Sequence, residues 1–172
     1  GASRSYFKGD DLPIETVTWD EAVEFCKRLS EKEGRIYRLP TEAEWEHACR
    51  AGTRTPFSFG GDAAAVGEFA WDGDHDGKGT HPVGTKKANP WGLFDMHGNV
   101  SEWCSDWYSA YPTKAVTDPL GPNTGERRVQ RGGSFQRSSR GCRSAARSSW
   151  SPDDSDKTGG LRVVCEPAAP GK

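Results

Sequence analysis

The chain has 172 residues, enough for one domain of ordinary size, with a net charge of -2 and 33% hydrophobic residues. That charge excludes bulk attraction to nucleic acid, and no apolar run approaches the ~20 residues of a membrane-spanning helix. With 7 tryptophans and 21 glycines set against few aliphatics, the composition points to a loop-rich fold around an aromatic core.

Residues 1–13 read as a flexible segment, 14–167 as a single domain and 168–172 as a tail. The first helix is expected over 18–29. Thr18 and Glu21 form a capping box, Ala22, Phe25, Cys26 and Leu29 share one face, and Gly34 is a stop. A second helix is expected over 41–51, opened by the Thr41 and Glu44 box and lined by Trp45, Ala48 and Cys49. Gly52 stands where a left-handed cap belongs. Glu42, Glu44 and Glu46 read as a solvated charged face.

Residues 53–90 and 109–127 are rich in Gly and Pro and read as loops. Between them, NPWGLFDMHGNVSEWCSDWY (residues 89–108) fits neither a helical nor a strand period. It reads as a tightly turned segment with core tryptophans (Trp91, Trp103 and Trp107) and acids of some other duty. Residues 128–135 and 160–164 read as the central and closing strands. The span 136–159 is an excursion rich in Ser, Arg and Asp. Arginines crowd 127–147, where there is no acid, whereas 152–156 is acidic.

The run Asp72-Gly73-Asp74-His75-Asp76-Gly77 alternates carboxylates and ends in Gly, as the start of a calcium-binding EF-hand loop does. Val83 stands where an EF-hand needs its bidentate Glu, so the alternatives are a partial calcium site and a solvated acidic turn. The cysteines, 5 in number, include no CxxC pair, and their spacing does not indicate zinc.

Four segments in order carry a resemblance: RLPTEAEWEHACRAG at 38–52, the 89–108 stretch, RVQRGGSF at 128–135, and CRSAARSSWSPD with GGLRVV at 142–164. Together they resemble the formylglycine-generating-enzyme, or sulfatase-modifying-factor, family. The resemblance implies an α+β, C-type-lectin-like fold with two helices, a small twisted antiparallel sheet and long ordered loops. Family members usually carry a strand and a helix ahead of this region, so either the chain is trimmed there or another segment supplies that edge. It implies calcium held by the Asp95 and Glu102 side chains and backbone oxygens at Gly98 and Val100. The alternative is that both acids bond backbone amides of the turn. It also implies a disulfide between Cys49 and Cys165, against two separate buried thiols.

Active members bind copper through two cysteines after the Gly-Gly-Ser motif, which suits soft Cu(I). Ser134 matches that motif and Cys142 matches the second cysteine, but Arg137 stands at the first. An arginine cannot replace a thiolate, so copper is not expected. Ser101, Thr158 and Leu161 also depart from the family pattern of Trp, Asn and Phe. The histidines are scattered and do not form the set expected of an iron-dependent sulfoxide synthase.

The excursion further resembles the variable region of diversity-generating-retroelement proteins, in which mutated Asn codons yield Ser, Gly, Asp, Thr, Ala and Arg. The positions so implicated are Arg137, Ser138, Ser139, Gly141, Ala146, Ser148, Ser149, Asp154, Ser155 and Thr158, with Phe135 and Trp150 as exposed anchors. Gln136, Trp150 and Lys157 cannot arise that way and would be fixed. The expectation is a non-catalytic domain that binds a protein or other macromolecule through 135–158. An oxidoreductase using copper or iron and an accessory domain of a larger protein stay open beside it.

Overall fold

The computed structural model describes residues 4–167. Residues 1–3 and the whole expected tail, 168–172, lie outside the described residues.

Both capping boxes form, and two helices follow them: α1 (Trp19–Glu33) and α2 (Glu42–Arg50). Helix α1 runs past residue 29 because nothing breaks it before Gly34, whose φ of 65° ends it. Ala22 and Cys26 are its buried residues, while Phe25 stays half-exposed and so departs from the expected core face. The cap of α2 falls one residue earlier than expected, on Ala51 at φ 46°, and Gly52 continues left-handed at φ 87°. A short helix α3 (Val66–Phe69) interrupts the first loop.

The turned stretch corrects the sequence reading. Ser101–Trp107 is a strand, here β2, after the two-residue β1 (Tyr37–Arg38). It joins β3 (Arg128–Arg131), β4 (Ser148–Trp150) and β5 (Gly159–Leu161) in the order β4-β3-β2-β5. Strand β2 is buried on both faces through most of its length, so it shows no polar alternation. Pairing is antiparallel except between β2 and β5, which run parallel with Ser101 opposite Gly159. β6 (Val164–Cys165) pairs with β1 as a separate ribbon.

The core divides between the helices. Trp45, Cys49, Met96, Cys104 and Val129 pack under α2, and Ala22, Cys26, Leu39 and Trp103 under α1. Trp91 is 51% exposed and lies outside this core, contrary to expectation. Residues 4–13 lie against the body: Phe7 N–H donates to the buried Glu15 carboxylate at 2.8 Å, and the Phe7 ring meets Phe135 edge-on at 5.6 Å. No helix among the described residues is long and apolar enough to cross a membrane.

Candidate binding cleft

The excursion leaves β3 through Gly132 and Gly133, both with positive φ, makes a 3-10 turn at Ser139–Cys142, and returns through β4. Between its arms lies a cleft of about 530 Å³. Its floor is sheet: Ser101 of β2 with Gln130 and Arg131 of β3. Arg137, Ser138, Gly141, Ala146, Ser148 and Trp150 form the walls, and Thr158 closes the end.

Several expected binding residues sit elsewhere. Phe135 is only 1% exposed and packs on Phe7, so it is core rather than an anchor. Ser149 alternates away from the cleft, and its Oγ accepts from Arg127 Nε at 3.2 Å. Ser139 donates to Asp72 and Asp74 instead of lining the cleft. Asp154 accepts Ser151 N–H at 3.0 Å in the turn after β4, and neither it nor Ser155 lines the cleft.

The cleft also contains residues that the sequence reading missed. Arg131, Arg140, Arg143 and Arg147 line it along with Arg137, and no Asp or Glu does. Two of the five are neutralised from behind by α2. Arg147 makes a bidentate pair with Glu42, 2.6 Å at both oxygens, and Arg131 pairs with Glu46. Glu42 is buried and Glu46 half-buried, so the supposed solvated face of α2 is the anchor of the cleft. The readable signal was the spacing of Glu42 and Glu46, one helical turn apart, in a chain with an acid-free arginine run.

The floor holds unpaired donors. Gln130 accepts Ser101 Oγ at 2.9 Å through its carbonyl, which leaves its Nε2 without a partner. Arg131 Nε is likewise unpartnered: Glu42 Oε1 lies 3.6 Å away, close enough for ion pairing but too far for a hydrogen bond. Both residues are at most 1% exposed.

Copper chemistry does not fit this arrangement. Arg137 stands where the resemblance places the first thiolate, and an arginine cannot replace it; burial pushes the Cys142 thiol up to about 12. His97 bonds Cys142 O at 2.9 Å and Ser58 Oγ at 2.9 Å, and burial lowers its pKa, so it is a neutral brace between loops. The expected Cys49–Cys165 bond is absent, and both cysteines are free. Cys49 is buried in the α2 core, whereas Cys165 is half-buried on the β1–β6 ribbon.

Protein donors already engage the carboxylates expected to hold calcium. Glu102 receives Arg162 Nε at 2.8 Å, Arg162 Nη2 at 2.7 Å and Trp45 Nε1 at 2.6 Å. Asp95 accepts Gly84 N–H at 2.7 Å, and burial raises its pKa. Gly98 and Val100 belong to the turn between these two acids. In the acidic loop, Asp72 is fully buried and accepts His75 N–H at 3.0 Å, Asp74 accepts Ser139 N–H at 2.8 Å, and Asp76 lies 3.0 Å from His81 Nε2. Among the described residues no three His, Cys, Asp or Glu side chains gather to hold a metal ion. The loop also pins the excursion through Ser139.

The chain is 35% identical over 182 residues to formylglycine-generating enzyme of Mus musculus, a match covering 96% of this chain and 47% of that protein. It therefore spans about half the length of such curated relatives. Its structure is similar to that of Treponema denticola variable protein 1, with a TM-score of 0.92, 32% identity, and coverage of 97% of this chain and 78% of the other. PvdO from Pseudomonas aeruginosa follows at a TM-score of 0.82 and 30% identity, over 94% of this chain and 64% of its own. The sulfatase-modifying factor enzyme 1-like domain matches residues 1–167, nearly the whole chain, and the chain belongs to that family.

Proposed function

We propose that this chain is a non-catalytic binding domain that presents a protein ligand with the cleft and rim of the 136–159 excursion. One observation carries the reading. The place where a catalytic member would hold copper contains Arg137 and a buried, protonated Cys142, and it opens into a cleft walled by short side chains and arginines. A rigid sheet beneath a loop of small residues suits recognition, because the loop can change without disturbing the core.

Likeness to a structure named a variable protein supports the sharper form, a diversified domain of the retroelement type. In that form the changing positions are those that face the cleft: Arg137, Ser138, Gly141, Ala146, Ser148 and Thr158. Trp150 is a fixed wall. The genomic test is a second, non-coding copy of codons 127–165 beside a reverse transcriptase gene, differing from the first only where the copy carries adenine. No such copy would remove the diversified form.

Substituting Arg137→Ala or Ser148→Tyr is expected to change which peptides a random display library yields. Stability should move by no more than about 0.5 kcal/mol, since neither side chain is buried in the core. Unchanged selection would overturn the binding reading. Tight Cu(I) uptake that disappears in Cys142→Ser would restore an oxidoreductase.

A further inference from the structure

We infer that the occupant of the cleft is an acidic segment of a protein partner, bound through its carboxylates. This rests on the binding reading above and names the chemistry of the same site.

The charge in the cleft is one-sided. It is lined by five arginines and no acid. Glu42 and Glu46 neutralise Arg147 and Arg131 from the helix behind. Arg137, Arg140 and Arg143 form no ion pair with a carboxylate among the described residues. Arg143 spends only its Nε, on Arg140 O at 2.8 Å. Gly141 makes room for Arg137: a Cβ built there would stand 3.2 Å from Arg137 Cβ. Arg137, Arg140 and Arg143 thus line the cleft without an ion-pair partner among the described residues, in a protein whose net charge is negative.

The floor provides the second, independent observation. Gln130 Nε2 is a buried donor with no partner among the described residues, whereas Arg131 Nε is directed toward Glu42 on the helix behind. Leaving a buried donor unmade costs free energy, so a bound acceptor that reaches Gln130 gains from satisfying it. A planar carboxylate matches the guanidinium fork, and a peptide carbonyl suits the carboxamide N–H. At about 530 Å³ the cleft is several times larger than one tetrahedral anion. Trp150 and Ala146 provide apolar wall for the methylene stems of an extended segment. Nucleic acid fits less well, because the exposed Asp74, which accepts Ser139 N–H at 2.8 Å, sets a negative charge beside the basic wall.

The test is fluorescence anisotropy with three labelled probes: a short peptide alternating Glu and Gly, its Gln-for-Glu counterpart, and a thymidine oligonucleotide. Inorganic phosphate serves as competitor. The Glu peptide should bind, the Gln peptide should bind at least about tenfold more weakly, and added salt should weaken binding. Arg137→Gln and Arg143→Gln should each lose about tenfold, the usual worth of one charged hydrogen bond, with melting temperatures unchanged. Arg28→Gln, on α1 and outside the cleft lining, should lose nothing. Equal binding of both peptides, indifference to the cleft arginines, preference for the oligonucleotide, or full displacement by millimolar phosphate would each overturn the inference. If the Glu peptide fails while Ser148→Tyr still alters selection of neutral peptides, the acidic class falls and the binding face stands. If neither responds, both fall.

Discussion

Arg131 is the residue that links the core to the cleft. Its guanidinium is fully buried, donates to Ala146 O and Ser144 O, pairs with Glu46 and lies over the Trp45 ring at 5.3 Å. Removing one partner of such a pair leaves a buried charge and orphaned carbonyls. Arg131→Ala should therefore cost about 3–5 kcal/mol in denaturant unfolding, and Arg131→Met distinctly less. A smaller loss in the alanine variant would mean that water replaces the guanidinium. His97 sets a pH dependence. Burial holds its folded pKa below the ordinary 6.5, so between those two values the unfolded chain binds the extra proton. Stability should be full above pH 6.5 and fall as pH drops through that value toward the folded pKa. Thermal melts across that range should show the slope in the native chain and a smaller one in His97→Gln.

A close approach holds the turn before β2 against the first loop. Asn99 N–H donates to Trp71 O at 2.7 Å, and this requires Gly98: a Cβ there would lie 2.3 Å from the same carbonyl. Gly98→Ala should cost about 1–3 kcal/mol by overpacking, read as a fall in melting temperature. The turn it shapes carries the metal question. A cation at Glu102 would compete with Arg162, which already donates to both carboxylate oxygens. Chelation is therefore expected to leave the melting curve unchanged, whereas Arg162→Ala should lower it, and a chelator-sensitive melt would show that calcium competes successfully. Both helix starts were legible because capping boxes are local chemistry: Thr18 with Glu21 and Thr41 with Glu44 need only each other. Strand β2 was not legible, because a strand covered on both faces loses the alternation that marks strands.

In the whole molecule, a braced scaffold supports a face with spare charge. Substitutions at Arg137 or Ser148 should change binding while leaving stability nearly intact, and substitutions at Arg131 or Glu46 should do the reverse. Paired binding and unfolding measurements on the four variants would separate these roles, and coincident losses would show that cleft and core are one unit. By itself the sequence determined the family, through four ordered motifs, and with it the α+β fold, both helix starts and the position of the excursion. Each of these depends on residues near in sequence or on residue identity alone. Tertiary structure decided which excursion residues face the cleft, that Phe135 is core, that Cys49 and Cys165 stay apart, and that Glu42 and Glu46 stand behind the arginines. Those facts depend on contacts between segments as far apart as α2 and β4, and on strand parity at the bends of a loop. Neither leaves a period or a spacing in the chain to be read.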